Sequence, residues 1–166
     1  MKLLLTSSGN TNKSIESALL ELLGKPFKEA NITFIPTAAN IEEGNKSWLV
    51  DDMYNFRKLG FASFDIIDIS AVPKEIWFPS FQNADILVFG GGNVKYLREW
   101  IKNSGVEEAL PELLKTKVYV GISAGSMVTA KNISLSYADI LYYEETGGFK
   151  DIEGLGLVDL DRKSVV

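Results

Sequence analysis

The chain has 166 residues, 46% of them hydrophobic, with 17 basic against 22 acidic side chains and a formal net charge of −5. That length and apolar content suit a single domain, residues 1–166, with a core of its own, and an acidic balance with no basic stripe speaks against nucleic-acid binding. There is no cysteine and no histidine, which excludes disulfides, thiolate zinc sites and a cysteine nucleophile and leaves only carboxylates for a hard cation, so neither a metal nor a cofactor is expected.

In chain order, Lys2 to Thr6 reads as a buried strand. Its apolar run is too short for a signal peptide, and no run approaches membrane-spanning length, so a cytoplasmic protein away from membranes is the expectation. A polar loop from Ser7 to Asn12 leads to a helix in which Ile15, Leu19, Leu22 and Leu23 recur at helical spacing, stopped at Gly24-Lys25-Pro26. Ile32 to Ile35 is a second strand, closed by Pro36. A long helix is expected from about Glu42 to Leu59, with Trp48, Leu49, Met53, Phe56 and Leu59 on its buried side. Phe64 to Ile69 is a third strand, and a helical or irregular stretch follows Pro73. Asp85 to Phe89 is a fourth strand running into Gly90-Gly91-Gly92-Asn93, then a helix burying Leu97, Trp100 and Ile101. Another helix covers roughly Val106 to Leu114, and Val118 to Ile122 is a fifth strand. Continuous apolar strands alternating with helices predict an α/β fold, doubly wound, with a mostly parallel sheet covered by helices on both faces. Ligands then bind beyond the carboxyl ends of the strands, where both glycine-rich turns lie.

The second of those turns carries the strongest chemical signal. Gly121-Ile122-Ser123-Ala124-Gly125 spells G-x-S-x-G between a β-branched strand and a segment, Ser126 to Ala130, able to wind as a helix. That is the setting of a nucleophile elbow, in which flanking glycines allow a sharp turn and the serine hydroxyl is pushed out at its apex. The plain alternative is a tight strand-to-helix turn whose small residues only permit close packing. Gly90-Gly91-Gly92-Asn93 lets backbone approach a substrate with no side chain in the way. N–H groups of Gly91 or Gly92, with that of Ala124, would make an oxyanion hole. A flexible turn is the alternative there. Trp48, Trp77 and Trp100 read as packing residues. Ser7 and Ser8 follow the first strand and could line the same crevice. The pairs Glu42-Glu43, Asp51-Asp52 and Glu107-Glu108 read as solvated helix faces or helix starts, not spaced like a metal site. Lys131, two turns beyond Ser123, is a poor substitute base.

The strand ending Leu-Thr-Ser-Ser, the Phe-Gly-Gly-Gly-Asn turn and Gly-Ile-Ser-Ala-Gly-Ser together resemble the dipeptidase E and cyanophycinase group of serine peptidases, from Met1 to about Leu160. The resemblance implies a three-layer α/β/α fold like that of class I glutamine amidotransferases. It also implies Ser123 as nucleophile, an oxyanion hole and substrate-binding turn at Gly91, Gly92, Asn93 and Ala124, and small, Asp-containing peptides as substrates. An orienting carboxylate is expected at Asp139, with Glu144 and Glu145 as rivals. In the family, a stretch like Gly154-Leu155-Gly156-Leu157-Val158-Asp159 leads to a strand and a Pro-His pair that supplies the base. Here that histidine would fall around Val165, so the family's last strands, final helix and base are expected to be missing. Two functions follow. One is a serine peptidase working through an acyl-enzyme on Ser123. The other is a catalytically inactive α/β domain that binds a small ligand or protein partner, with an open sheet edge or apolar face available for a homodimer.

Overall fold

The structure, a computed structural model, describes residues 1–133 and 152–159. Its chain falls into two compact units, Met1–Ser126 and Met127–Val166. The first is a five-stranded sheet in which every pairing is parallel: β1 (Lys2–Thr6), β2 (Asn31–Ile35), β3 (Ser63–Ile66), β4 (Ile86–Phe89) and β5 (Val118–Ile122), in the order β1-β5-β4-β2-β3. The helices are α1 (Lys13–Leu23), α2 (Ser47–Arg57), α3 (Lys74–Asn83), α4 (Val94–Asn103), α5 (Val106–Leu113) and the single turn α6 (Ala124–Met127). This is the expected three-layer α/β architecture, and no helix among the described residues is long and apolar enough to cross a membrane.

Strand alternation divides the core. Ile32, Phe34, Ile86, Val88, Val118, Val120 and Ile122 form one buried cluster with Leu19 of α1 and Phe56 of α2. The intervening positions build the other face. There Phe89 stacks on Tyr119 at 4.9 Å between ring centroids, and Phe81 of α3 meets Phe89 edge-on and packs against the fully buried Trp77. Strands clad on both faces have no room for polar side chains, which is why β4 and β5 are buried at every position.

Three boundaries differ from the sequence reading. The long helix begins at Ser47 rather than near Glu42, because Gly44 adopts a left-handed φ of 82° and the Asn45 side chain accepts the Ser47 N–H at 2.8 Å. The third strand ends at Ile66. The Ile67 N–H still donates to Phe34 O, but Asp68 then turns the chain by accepting the Ser70 N–H and hydroxyl. Burial raises the Asp68 pKa, yet hydrogen bonds from Ser70, Asn40 and Thr37 outweigh it and hold the carboxyl below its ordinary value. Beyond Ser123 the helix is one turn, Ala124–Met127. The stretch after Pro73 is helical throughout and accommodates Pro79.

In the second unit, β6 (Asn132–Ile133) pairs antiparallel with β7 (Ile152–Glu153). The segment after β7 runs beside residues 128–130: the Leu155 N–H donates to Val128 O, and the Leu157 N–H donates to Thr129 O, each at 2.8 Å.

Candidate active site

Ser123 sits where β5 gives way to α6, and among the described residues it alone combines a side chain with a positive φ, 50°. The left-handed conformation costs a non-glycine residue about 1–3 kcal/mol. The surroundings hold it there. The Ser123 N–H donates to Thr6 O at 2.9 Å, the Ser126 hydroxyl donates to the same carbonyl at 2.8 Å, and the Thr6 N–H donates back to Ser126 Oγ at 3.0 Å. The end of β1 is thus tied to both sides of the turn. The flanking glycines are required by close approach. A Cβ on Gly125 would lie 1.9 Å from Phe89 O, and one on Gly121 would lie 2.7 Å from Gly125 O. The buried Tyr119 hydroxyl donates to Gly125 O at 2.6 Å and fixes the turn from beneath.

The turn after β4 comes up beside this serine. A Cβ on Gly91 would stand 3.4 Å from Ser123 Cβ and 3.8 Å from Trp48 Cζ3, so the three positions converge. Gly92 has φ 136°, and a side chain there would run into Ala38 O at 2.1 Å. The N–H groups of Gly91 and Gly92 meet no acceptor among the described residues. Ala124, fully buried, opens α6, where first-turn N–H groups have no intrahelical acceptor. Asn93 closes the turn: its N–H donates to Ala38 O at 2.8 Å, and its side chain accepts the Tyr96 N–H at 2.9 Å as the N-cap of α4.

These elements enclose a cavity of about 430 Å³. Ser7 and Ser8 line it from the end of β1, as the sequence allowed; Gly91, Gly92, Ile122 and the exposed Ser123 form its floor. Among the described residues its other wall is Glu42, Glu43, Trp48 and Asp52, which sequence reasoning had assigned to helix faces and core packing. Trp48 and Asp52 are four residues apart on α2, the spacing that stacks two side chains on one helix face, and that spacing was the signal available. The half-buried Asp52 carboxyl accepts no hydrogen bond among the described residues. Burial, with the neighbouring Asp51 charge adding to it, pushes its pKa up to about 6. Of the other expected site residues, Asp139 and its rivals Glu144 and Glu145 lie outside the described residues. Lys131 is exposed in the second unit. Among the described residues no group of three or more acidic side chains is disposed to hold a metal ion.

Fold and site together define a three-layer α/β protein with a serine-bearing cavity at the carboxyl ends of its parallel strands. The model of peptidase family S51 matches residues 3–163, and the chain belongs to that family. It is 30% identical over 135 residues to an uncharacterized peptidase of Pasteurella multocida, covering 80% of this chain and 63% of that protein. It is 29% identical over 111 residues to an uncharacterized peptidase of Listeria innocua, covering 62% of this chain and 49% of the other. The chain thus spans about half to two thirds of these relatives' length. Among solved structures, a provisionally named peptidase E from Listeria monocytogenes superposes with a TM-score of 0.78 at 26% identity, over 96% of this chain and 76% of its own. A peptidase from an acI-B1 Actinobacterium shares the fold, with a TM-score of 0.71 at 20% identity over 95% and 64% of the two chains.

Proposed function

We propose that this chain is a serine-type peptidase module in which Ser123 forms an acyl-enzyme with a small peptide. The observation that carries the reading is the exposed Ser123 side chain, held at a left-handed φ on a cavity wall beside free backbone donors. Nothing in packing alone calls for a serine in that conformation, since glycine would adopt it without cost. In the reaction, Ser123 Oγ attacks the scissile carbonyl carbon as its proton leaves to a base. The carbonyl oxygen becomes an oxyanion received by the N–H of Ala124 and that of Gly91 or Gly92, the amine leaves with a proton, and water then hydrolyses the ester. Backbone donors supplied by glycine turns are preorganised, and removing one such donor typically costs about 10²–10³-fold in rate. Family membership, the peptidase relatives and the cavity volume support small peptides as substrates. The resemblance extends this to Asp-containing peptides, a preference that rates on Asp-Ala, Lys-Ala and Ala-Ala would decide.

The sequence contains no histidine, and a carboxylate such as Asp139 orients an imidazole rather than replacing it. That observation favours a second reading, a domain that keeps the cavity and binds without catalysing. Sites lacking one triad member still retain about 10³–10⁴-fold over water, so slow acylation is the expected behaviour. Labelling by a fluorophosphonate probe, run beside Ser123→Ala, separates the two. Labelling that depends on Ser123 supports the peptidase module; none, with circular dichroism confirming a folded chain, supports the binding domain.

A further inference from the structure

We propose that Trp48 and Gly91 set the width of the slot that receives the acyl residue at Ser123, so that the site accepts residues unbranched at Cβ and turns away valine, isoleucine and threonine. The selection operates in acylation and so rests on the peptidase reading of Ser123.

The fold does not require glycine at position 91. It does at Gly92, where φ is 136° and a side chain would run into the Ala38 backbone. Gly91 has no positive φ. A Cβ added there would meet its nearest neighbours, Ser123 Cβ, Ile122 O and Trp48 Cζ3, at 3.4, 3.6 and 3.8 Å. These are ordinary contact distances, so the fold has room for alanine. What the added methyl group would do is fill the space between the nucleophile and the indole. Glycine keeps that space for a substrate.

The same distances measure the slot. One carbon at that point touches Ser123 Cβ and Trp48 Cζ3 together, so those two atoms stand no further apart than a single carbon spans. Both residues line the cavity, and Trp48 is only partly buried, unlike the fully buried Trp77, so its ring is available as a wall. Once Ser123 Oγ is joined to the acyl carbon, the acyl oxygen turns to the backbone donors. The acyl Cα and Cβ then run past Ser123 Cβ along the gap under the indole. A gap one carbon wide takes a straight chain edge-on. A second γ-substituent on Cβ has to press on the ring or on the serine, and overpacking between well-held groups is unfavourable. Alanine and aspartate are both unbranched at Cβ, so the slot agrees with small, Asp-containing peptides.

The test is acylation of the full 166-residue chain by the 4-nitrophenyl esters of N-acetyl-norvaline and N-acetyl-valine, isomers that differ only in branching at Cβ. Ser123 Oγ bonds to the acyl carbon, 4-nitrophenolate leaves with the bonding pair, and the serine proton passes to solvent. Intact-mass measurement beside Ser123→Ala follows the acyl-enzyme, and each rate is divided by that ester's spontaneous hydrolysis. Norvaline should acylate about tenfold faster than valine or more. Trp48→Ala should bring the two within about twofold of each other, chiefly by admitting valine. Gly91→Ala should hold the parent's Tm or raise it by a few degrees, yet slow norvaline about tenfold. Adding Trp48→Ala to Gly91→Ala should restore most of that rate. Equal rates for the two esters, a ratio untouched by Trp48→Ala, or a Gly91→Ala protein that acylates like the parent or loses Tm overturns the proposal. Acylation of Ser123 without a branching preference removes the slot and leaves the peptidase reading standing; no acylation by either ester sinks both.

Discussion

Replacing Asp52 by asparagine should stabilise the protein at pH 8 and leave it unchanged at pH 4. In the fold the Asp52 pKa is raised from 3.8 to about 6 by burial and by Asp51. Between those values the folded state holds a proton that the unfolded chain has released, so stability falls as pH rises through this window and the full penalty persists above it. A shift of about two units corresponds to roughly 3 kcal/mol at about 1.4 kcal/mol per unit. Because the side chain is only half-buried, solvent screening reduces that to about 1 kcal/mol. Asparagine keeps the shape and cannot ionise, so it escapes the penalty. Urea unfolding of both proteins at pH 4 and pH 8 reads the difference directly, since carboxylates remote from Asp52 titrate alike in each and cancel, while Asp51 is relieved of the same repulsion. A variant less stable than the parent at pH 8, or a difference that does not change with pH, would refute the argument that Asp52 is held against its ionised state.

Other substitutions probe the parts that position the serine. Gly125→Ala would press a methyl group onto Phe89 O in β4, the central strand of the packed sheet, where backbone has little room to retreat; a loss of about 3 kcal/mol or more is expected, read as a fall in Tm or in soluble yield. Tyr119→Phe leaves Gly125 O without its buried donor and should cost about 1–3 kcal/mol in urea unfolding, with slower labelling of Ser123. The same phenol is pushed far above its ordinary pKa by burial, so its ionised absorbance should be missing from an alkaline titration of the folded protein. Asn93→Ala removes the cap of α4 and should cost about 1 kcal/mol, with faster amide exchange confined to the first turn of that helix.

Much of the frame was legible because it depends on local pattern. Runs such as Ile86–Phe89 and Val118–Ile122 are apolar at every position because both faces are covered, and their successors carry helical spacing. The serine turn was readable for the same reason: Gly121 and Gly125 mark close backbone approach within five residues of chain. What escaped was long-range. Nothing near Asp52 in sequence announces that α2 leans over the ends of β4 and β5, and a pair of adjacent aspartates at helical positions looks like solvated surface until its neighbours are known. Asn93 illustrates a role the sequence reading did not anticipate: a polar residue closing a glycine turn suggested substrate contact, and its side chain also accepts the Tyr96 N–H as a helix cap. The start of α2 was misplaced because hydrophobic spacing was extended through Gly44, whose left-handed φ ends any helix.

The position of β1 has a consequence for the order of assembly. Among the described strands its sole neighbour is β5, with Thr6 opposite Ile122. Of these five strands β1 is made first and β5 last, so β1 waits on the order of ten seconds for its partner at about 5–20 residues per second. Until then β2, β3 and β4 can pair among themselves, but Leu3, Leu4 and Leu5 have no strand to join and Thr6 O has no serine turn to receive. The cavity walls that β1 and the serine turn contribute are consequently set only once β5 is made, and until then the nascent chain carries β1 as an unpaired apolar strand.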